Sequence, residues 1–103
     1  MSEEEMNDVN GGSVSYDYTR VFGLIVGAEI QFSNEALNTL IGMIAAGTSF
    51  AGALKLLGVK AAVATPLAVA GLILYGTLQL YASLGWGFAY GFVGAVVYHR
   101  PIF

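Results

Sequence analysis

Apolar positions run through this chain in long blocks rather than in sustained alternation, and the blocks predict helices. Residues 13–20 are polar and aromatic (Ser13, Ser15, Tyr16, Asp17, Tyr18, Thr19, Arg20) and read as a flexible lead-in whose tyrosines suit a boundary between water and headgroups. Residues 21–32 are apolar up to Glu29, too short a run to cross ~30 Å of hydrocarbon, and predict an interfacial or core helix. Ser33, Asn34 and Glu35 then supply helix-start chemistry: a side-chain acceptor for free N–H groups and an acid at the positive end of the dipole. The uncharged run 36–54 approaches the roughly 20 residues needed for a span. Lys55 and Lys60 bracket Gly58 and predict a hairpin bend, placed on the cytoplasmic side if both flanking segments span.

From Ala61 to Tyr98 no residue is charged. One helix of that length would far exceed a bilayer, so a break is expected at Ser83, Leu84 and Gly85, giving helices over 61–82 and 86–98. Pro66 falls in the first turns of the former, where its missing N–H costs least. The latter is short, carries Trp86, Phe88, Tyr90, Phe92 and Tyr98, and is expected to lie flat or re-enter. The fold class expected is therefore all-α: short apolar helices forming a membrane-active helical hairpin or a bundle of four or five. Glycines recur at helix-compatible spacings: Gly23 with Gly27, Gly87 with Gly91, and Gly42, Gly47 and Gly52 five apart. They can serve helix association in an oligomer, or close packing within one monomer.

Composition sharpens the solvent. With 56% apolar and 11% charged residues, the 103-residue chain is greasier than an ordinary soluble domain and is one domain at most. Net charge is −3, yet four of the seven acids (Glu3, Glu4, Glu5, Asp8) lie ahead of Gly11, so the remainder is weakly cationic. There is no cysteine, hence no disulfide or thiolate metal site. Four cations are too few for a nucleic-acid footprint, so no nucleic-acid partner is expected. No phosphate loop or nucleophile elbow occurs, His99 stands alone, and Glu29 and Glu35 read as solvated charges or caps. No enzyme, cofactor or metal is expected.

The first twelve residues change the picture most. Met6 and Val9 share a helical face with Met1 about another turn upstream, Glu3, Glu4 and Asp8 remain for solvent, and Gly11-Gly12 can pass extended through a slot too narrow for a side chain. This segment resembles the double-glycine leader of class II bacteriocin and microcin precursors, on Glu5-Met6, Val9 and Gly11-Gly12, with Met1 at the farthest apolar position. The resemblance implies two parts: a leader, 1–12, recognised through Met1, Glu5, Met6 and Val9, and a mature peptide, 13–103. It also implies cleavage between Gly12 and Ser13 by a peptidase-containing ABC exporter.

The expected product is secreted, inserts into target-cell membrane lipid and permeabilises it, with Asn38, Thr48, Ser49, Thr77 and Gln79 lining a wet path. A second copy of the chain and an immunity protein in the producer are the further partners expected. A soluble helical ball similar to the saposin-like fold of circular bacteriocins is the compact variant of this reading. The alternative is a small integral protein of the producer's inner membrane that oligomerises: a conjugation-type pilin subunit, a holin or an immunity protein.

Overall fold

The computed structural model describes residues 14–103, and within them the chain forms a four-stranded sheet with four helices inserted between its central strands. The strands are β1 (Val14–Val21), β2 (Leu24–Phe32), β3 (Gly87–Val93) and β4 (Val96–Ile102). The helices are α1 (Asn34–Ala45), α2 (Phe50–Leu56), α3 (Ala61–Ile73) and α4 (Tyr75–Ser83). Strand order is β1-β2-β3-β4, antiparallel throughout, with a register shift between Thr19 and Arg20. The all-α expectation is thus corrected to a two-layer α/β fold.

Two segments account for the difference. Residues 21–32, read as one helix, contain a turn at Phe22-Gly23 and then β2. Residues 86–98, read as a second, form the β3–β4 hairpin. In β3 the large residues Phe88, Tyr90 and Phe92 alternate with the small ones Gly87, Ala89 and Gly91. The period of two is present in size but hidden in polarity, because both sets are apolar or neutral. The lead-in is ordered as β1, where Val14, Tyr16 and Tyr18 alternate with Ser15, Asp17 and Thr19.

Helices cover the face that carries the large residues. Ile30 pairs with Tyr90 and Phe32 with Phe88 across β2–β3, and all four side chains are fully buried beneath Leu37, Leu40, Leu67 and Leu78. The Tyr90 hydroxyl, inside this core, donates to the Leu67 carbonyl of α3 at 2.9 Å. Gly71 makes that approach possible, since a Cβ there would lie 2.3 Å from the Phe50 ring and 2.7 Å from the Tyr90 oxygen.

Helix ends follow their side chains. Ser33 accepts from the Ala36 N–H and Ser49 from the Gly52 N–H, capping α1 and α2. Gly47, Gly58 and Gly85 have positive φ, and the next residue's N–H reaches back five positions in each case: Thr48 to Met43, Val59 to Leu54, Trp86 to Tyr81. These are glycine-terminated helix ends of the Schellman type. The Gly58 turn and the break at Gly85 fall where the sequence pattern put them. An additional break at Leu74 separates α3 from α4.

That break corrects the transmembrane expectation. Among the described residues no single helix is long and apolar enough to cross a membrane; α3 and α4 together reach that length and apolarity but meet at 78°. The run 36–54 is likewise divided, by the Gly47 turn between α1 and α2. A two-helix membrane hairpin of the pilin type is therefore not the architecture. Val63, Ala64, Leu67, Ala70, Gly71, Leu78 and Ala82 of the bent pair are buried in the core, which explains a charge-free sequence without a span.

Two alanine substitutions should move stability in opposite directions. Gly42 on α1 has open space where a Cβ would go, so Gly42→Ala is expected to stabilise by about 0.5–1 kcal/mol through helix propensity. Gly71→Ala makes the same propensity gain but must displace a buried ring and a bonded hydroxyl, and is expected to destabilise by about 1–3 kcal/mol net. Denaturant midpoints of the two variants check this; a stabilised Gly71→Ala would mean that the α3–sheet contact is loose.

Candidate functional site

Two surfaces stand out: the polar face of the sheet and one apolar end of the molecule. On the face away from the helices, cross-strand rows place Asp17 opposite Glu29, Glu29 opposite Gly91 and Gly91 opposite Tyr98, with Ser15, Gln31, Ala89 and Arg100 in the next row. The small residues of β3 leave room for side chains to lean over it. A Cβ on Gly91 would come within 2.9 Å of the Tyr98 oxygen, and Tyr98 uses that room to donate to Glu29 Oε2 at 2.9 Å. From the other side Arg100 Nη2 reaches Glu29 Oε1 at 3.0 Å and Gln31 Nε2 reaches it at 3.2 Å.

Glu29 is thus the hub of a clamp joining β2 to β4 across β3. Partial desolvation pushes its carboxyl upward, but the bonds from Gln31, Tyr98 and Arg100 and the guanidinium charge outweigh it, so the group sits below its ordinary value. Tyr98 moves up, through desolvation and through its bond to the carboxylate. The clamp borders a depression of about 440 Å³, which is also lined by Ser15, Asp17 and Thr19. An ionised, triply bonded carboxylate has no proton to give and little basicity, so its chemistry is that of a fastener.

His99 lies on the opposite face, where its ring stacks on Phe88 with centroids 5.8 Å apart and meets Tyr81 at 6.0 Å. No carboxylate–imidazole pair forms with Glu29. Glu35 stands in the first turn of α1, the dipole-favoured position. Among the described residues no group of three His, Asp or Glu side chains gathers where it could hold a metal ion.

The apolar end is built by the two hairpin turns. Val21 and Leu24 close the β1–β2 turn, Val93 and Val96 close the β3–β4 turn, and the Gly94 N–H bonds the Val26 carbonyl at 2.9 Å, holding the turns side by side. Phe22, Leu24, Ile25 and Val96 are all exposed there. The apolar surface continues into two grooves that share Pro66 of α3: one of about 260 Å³ with Ile25, Ala62 and Val63, and one of about 370 Å³ with Val69, Ile73 and Val97. Monomeric soluble proteins rarely leave so contiguous an apolar patch in water.

The residues singled out from the sequence fall in several places. Met1, Glu5, Met6, Val9, Gly11, Gly12 and Ser13 lie outside the described residues. The glycines expected to mediate helix association do other work. Gly23 is a turn residue with φ 79°, and Gly27 sits on β2, where a Cβ would overlap the Phe92 carbonyl. Gly87 and Gly91 lie on β3 against the carbonyls of Phe32 and Ala28. Gly47 ends α1, Gly42 faces open space, and Gly52 packs in the first turn of α2 against the Ser49 hydroxyl.

The polar positions expected to line one path are dispersed. Asn38 bonds back to Asn34, Ser49 caps α2, Thr48 precedes it in the same connection, and Thr77 and Gln79 lie on α4. Sequence reasoning missed the Glu29 clamp and the Phe22 turn. The alternation of β1, and of large and small residues in β3, was the signal for the first.

Comparison with protein-family models, with curated proteins and with solved structures returned no match to this chain. The surfaces must therefore be read from their own chemistry.

A carboxyl held low in the folded state stabilises above its unfolded value and loses that contribution as pH falls through the folded one. Acid unfolding should accordingly begin as pH drops below about the ordinary glutamate value of 4.5. Glu29→Gln should cost about 1 kcal/mol at neutral pH, a modest figure because the Arg100 guanidinium is half exposed, and should flatten that acid limb. Thermal melts of both proteins across pH 3–7 check it; parallel profiles would show that the clamp contributes nothing.

Proposed function

We propose that this chain is the precursor of an exported antibacterial protein, cut after Gly12 by a peptidase-bearing exporter, whose folded 13–103 body acts at the membrane of target bacteria. The observation that carries the reading is positional. The glycine doublet lies immediately upstream of Ser13 and Val14, where β1 begins, so cleavage there would leave every described strand and helix whole. A leader that supplied a strand would be costly to remove; this one supplies none of the described elements.

Charge and surface agree with it. The leader takes four acids with it, leaving Arg20, Lys55, Lys60 and Arg100 against Asp17, Glu29 and Glu35, a sign suited to anionic bacterial lipid. Exposed apolar groups supply the larger driving force, at roughly 25 cal/mol per Å² buried. Because the helices are short and packed on a sheet, the action proposed is perturbation of the bilayer by a compact body at its surface. No bundle of spanning helices is invoked.

Intact-mass analysis of producer supernatant and membranes tests the reading. The expected outcome is a secreted species beginning at Ser13 that releases dye from anionic vesicles, and its loss in Gly12→Leu, whose side chain does not fit a glycine slot. A wild-type chain that stays in the producer's membrane with Met1–Gly12 attached overturns it.

A further inference from the structure

The β1–β2 turn uses the wrong kind of residue for a turn and the right kind for an anchor. Phe22 and Gly23 both have positive φ, 51° and 79°, as in the two-residue hairpin turn for which Asn-Gly is the favoured pair. A bulky ring is rare in that conformation and strains it. Nothing inside the molecule offsets the strain, since Phe22 is 101% exposed. A residue kept at a local cost, with its ring wholly in water, points to a contact outside the chain.

We propose that the apolar end is a bilayer-docking surface, with Phe22 as its anchor and anionic lipid headgroups as the counter-charges of Arg20 and Lys60. The proposal rests on the membrane-active reading above and adds to it a face and an orientation. Charge decides between lipid and other occupants. Arg20 pairs with Ile25 directly beside the turn and lies 5.9 Å from the Tyr18 ring. Lys60 caps α3 two residues before Ala62, which lines the groove with Ile25, and Lys55 closes the preceding helix.

The described acids are placed elsewhere. Glu29 is bound to Arg100 on the sheet face, Asp17 lies on that face, and Glu35 starts α1 beyond Phe32, at the other end of β2. An apolar tip carrying Phe22, Leu24, Ile25 and Val96, flanked by cations, matches the layering of an anionic membrane: charge at headgroup level and rings below it. Trp86 stands before β3 beside Phe103, at the end of the sheet away from the turns, and stays in water in this orientation.

The test uses the full-length chain, vesicles of phosphatidylcholine and of equimolar phosphatidylcholine and phosphatidylglycerol, and three variants. Phe22→Asn suits the turn better than the native residue, so its melting temperature should hold or rise while partition into anionic vesicles falls about ten-fold or more. Lys60→Gln should weaken binding to the anionic vesicles roughly five-fold and leave phosphatidylcholine unaffected. In Phe22→Trp combined with Trp86→Phe, the new indole should shift to the blue on vesicles and be quenched by brominated acyl chains, whereas the native Trp86 should not.

Undiminished binding by Phe22→Asn overturns the proposal even where the wild type leaks vesicles, and in that case the membrane reading survives without this face. Failure of the wild type to bind either vesicle overturns the docking surface outright. A lipid-free dimer that Phe22→Asn converts to monomer, with vesicle binding unchanged, assigns the surface to a second copy of the chain instead.

Discussion

A phenol hydroxyl buried under a helix layer must find a partner or destabilise the core it sits in, and in this protein that requirement fixes how the two layers meet. Tyr90 is fully buried and donates to Leu67 of α3. For its oxygen to arrive there, the next turn of α3 must carry no side chain, and Gly71 supplies that gap while also admitting the edge of Phe50 from α2. One contact therefore sets the height of α3 over the sheet and the position of α2 against α3. The penalty for leaving such a hydroxyl unbonded is of the same order as the penalty for a misplaced apolar side chain, so the contact specifies geometry as strongly as it stabilises.

With that face sealed, the other properties divide between the remaining surfaces. The exposed sheet face is narrow in chemistry: a carboxylate, a guanidinium, a phenol and an amide bonded to one another over a strand of glycine and alanine. It fastens the outer strand β4 to the centre of the sheet. The apolar groups that neither layer can cover accumulate at the hairpin end, which is why the molecule has a distinct greasy pole rather than an evenly greasy surface.

Much of the helical half was legible in the sequence. Ser33 beside Asn34 and Glu35 marked the start of α1, Gly58 between lysines marked a turn, and Gly85 marked the end of the helical half. Half of the strand content was concealed, because the usual marker of a strand is alternation between apolar and polar residues. In β3 both faces are apolar or small: one packs under helices, and the other must stay low so that Glu29, Tyr98 and Arg100 can meet above it. The β1–β2 turn was concealed for a different reason, since Phe-Gly carries no turn signal and the chemistry that placed Phe22 there is not that of folding. In β1 the alternation was plain, and only its shortness and its apolar neighbours argued against a strand. The clamp could not be seen without the register, which brings together Glu29 and Arg100 from opposite ends of the chain.

The insertion of all four helices between the two central strands has a kinetic corollary. The β1–β2 and β3–β4 hairpins join neighbours in the chain and can close within microseconds, as can single helical turns. Joining Phe32 to Phe88, by contrast, requires the ends of the whole helical segment to meet, and the entropy of closing so large a loop is repaid only once its helices have collapsed onto one another. The ladder at the middle of the sheet is consequently the late event of assembly, and until it forms each hairpin presents an unpaired inner edge to any other chain it encounters.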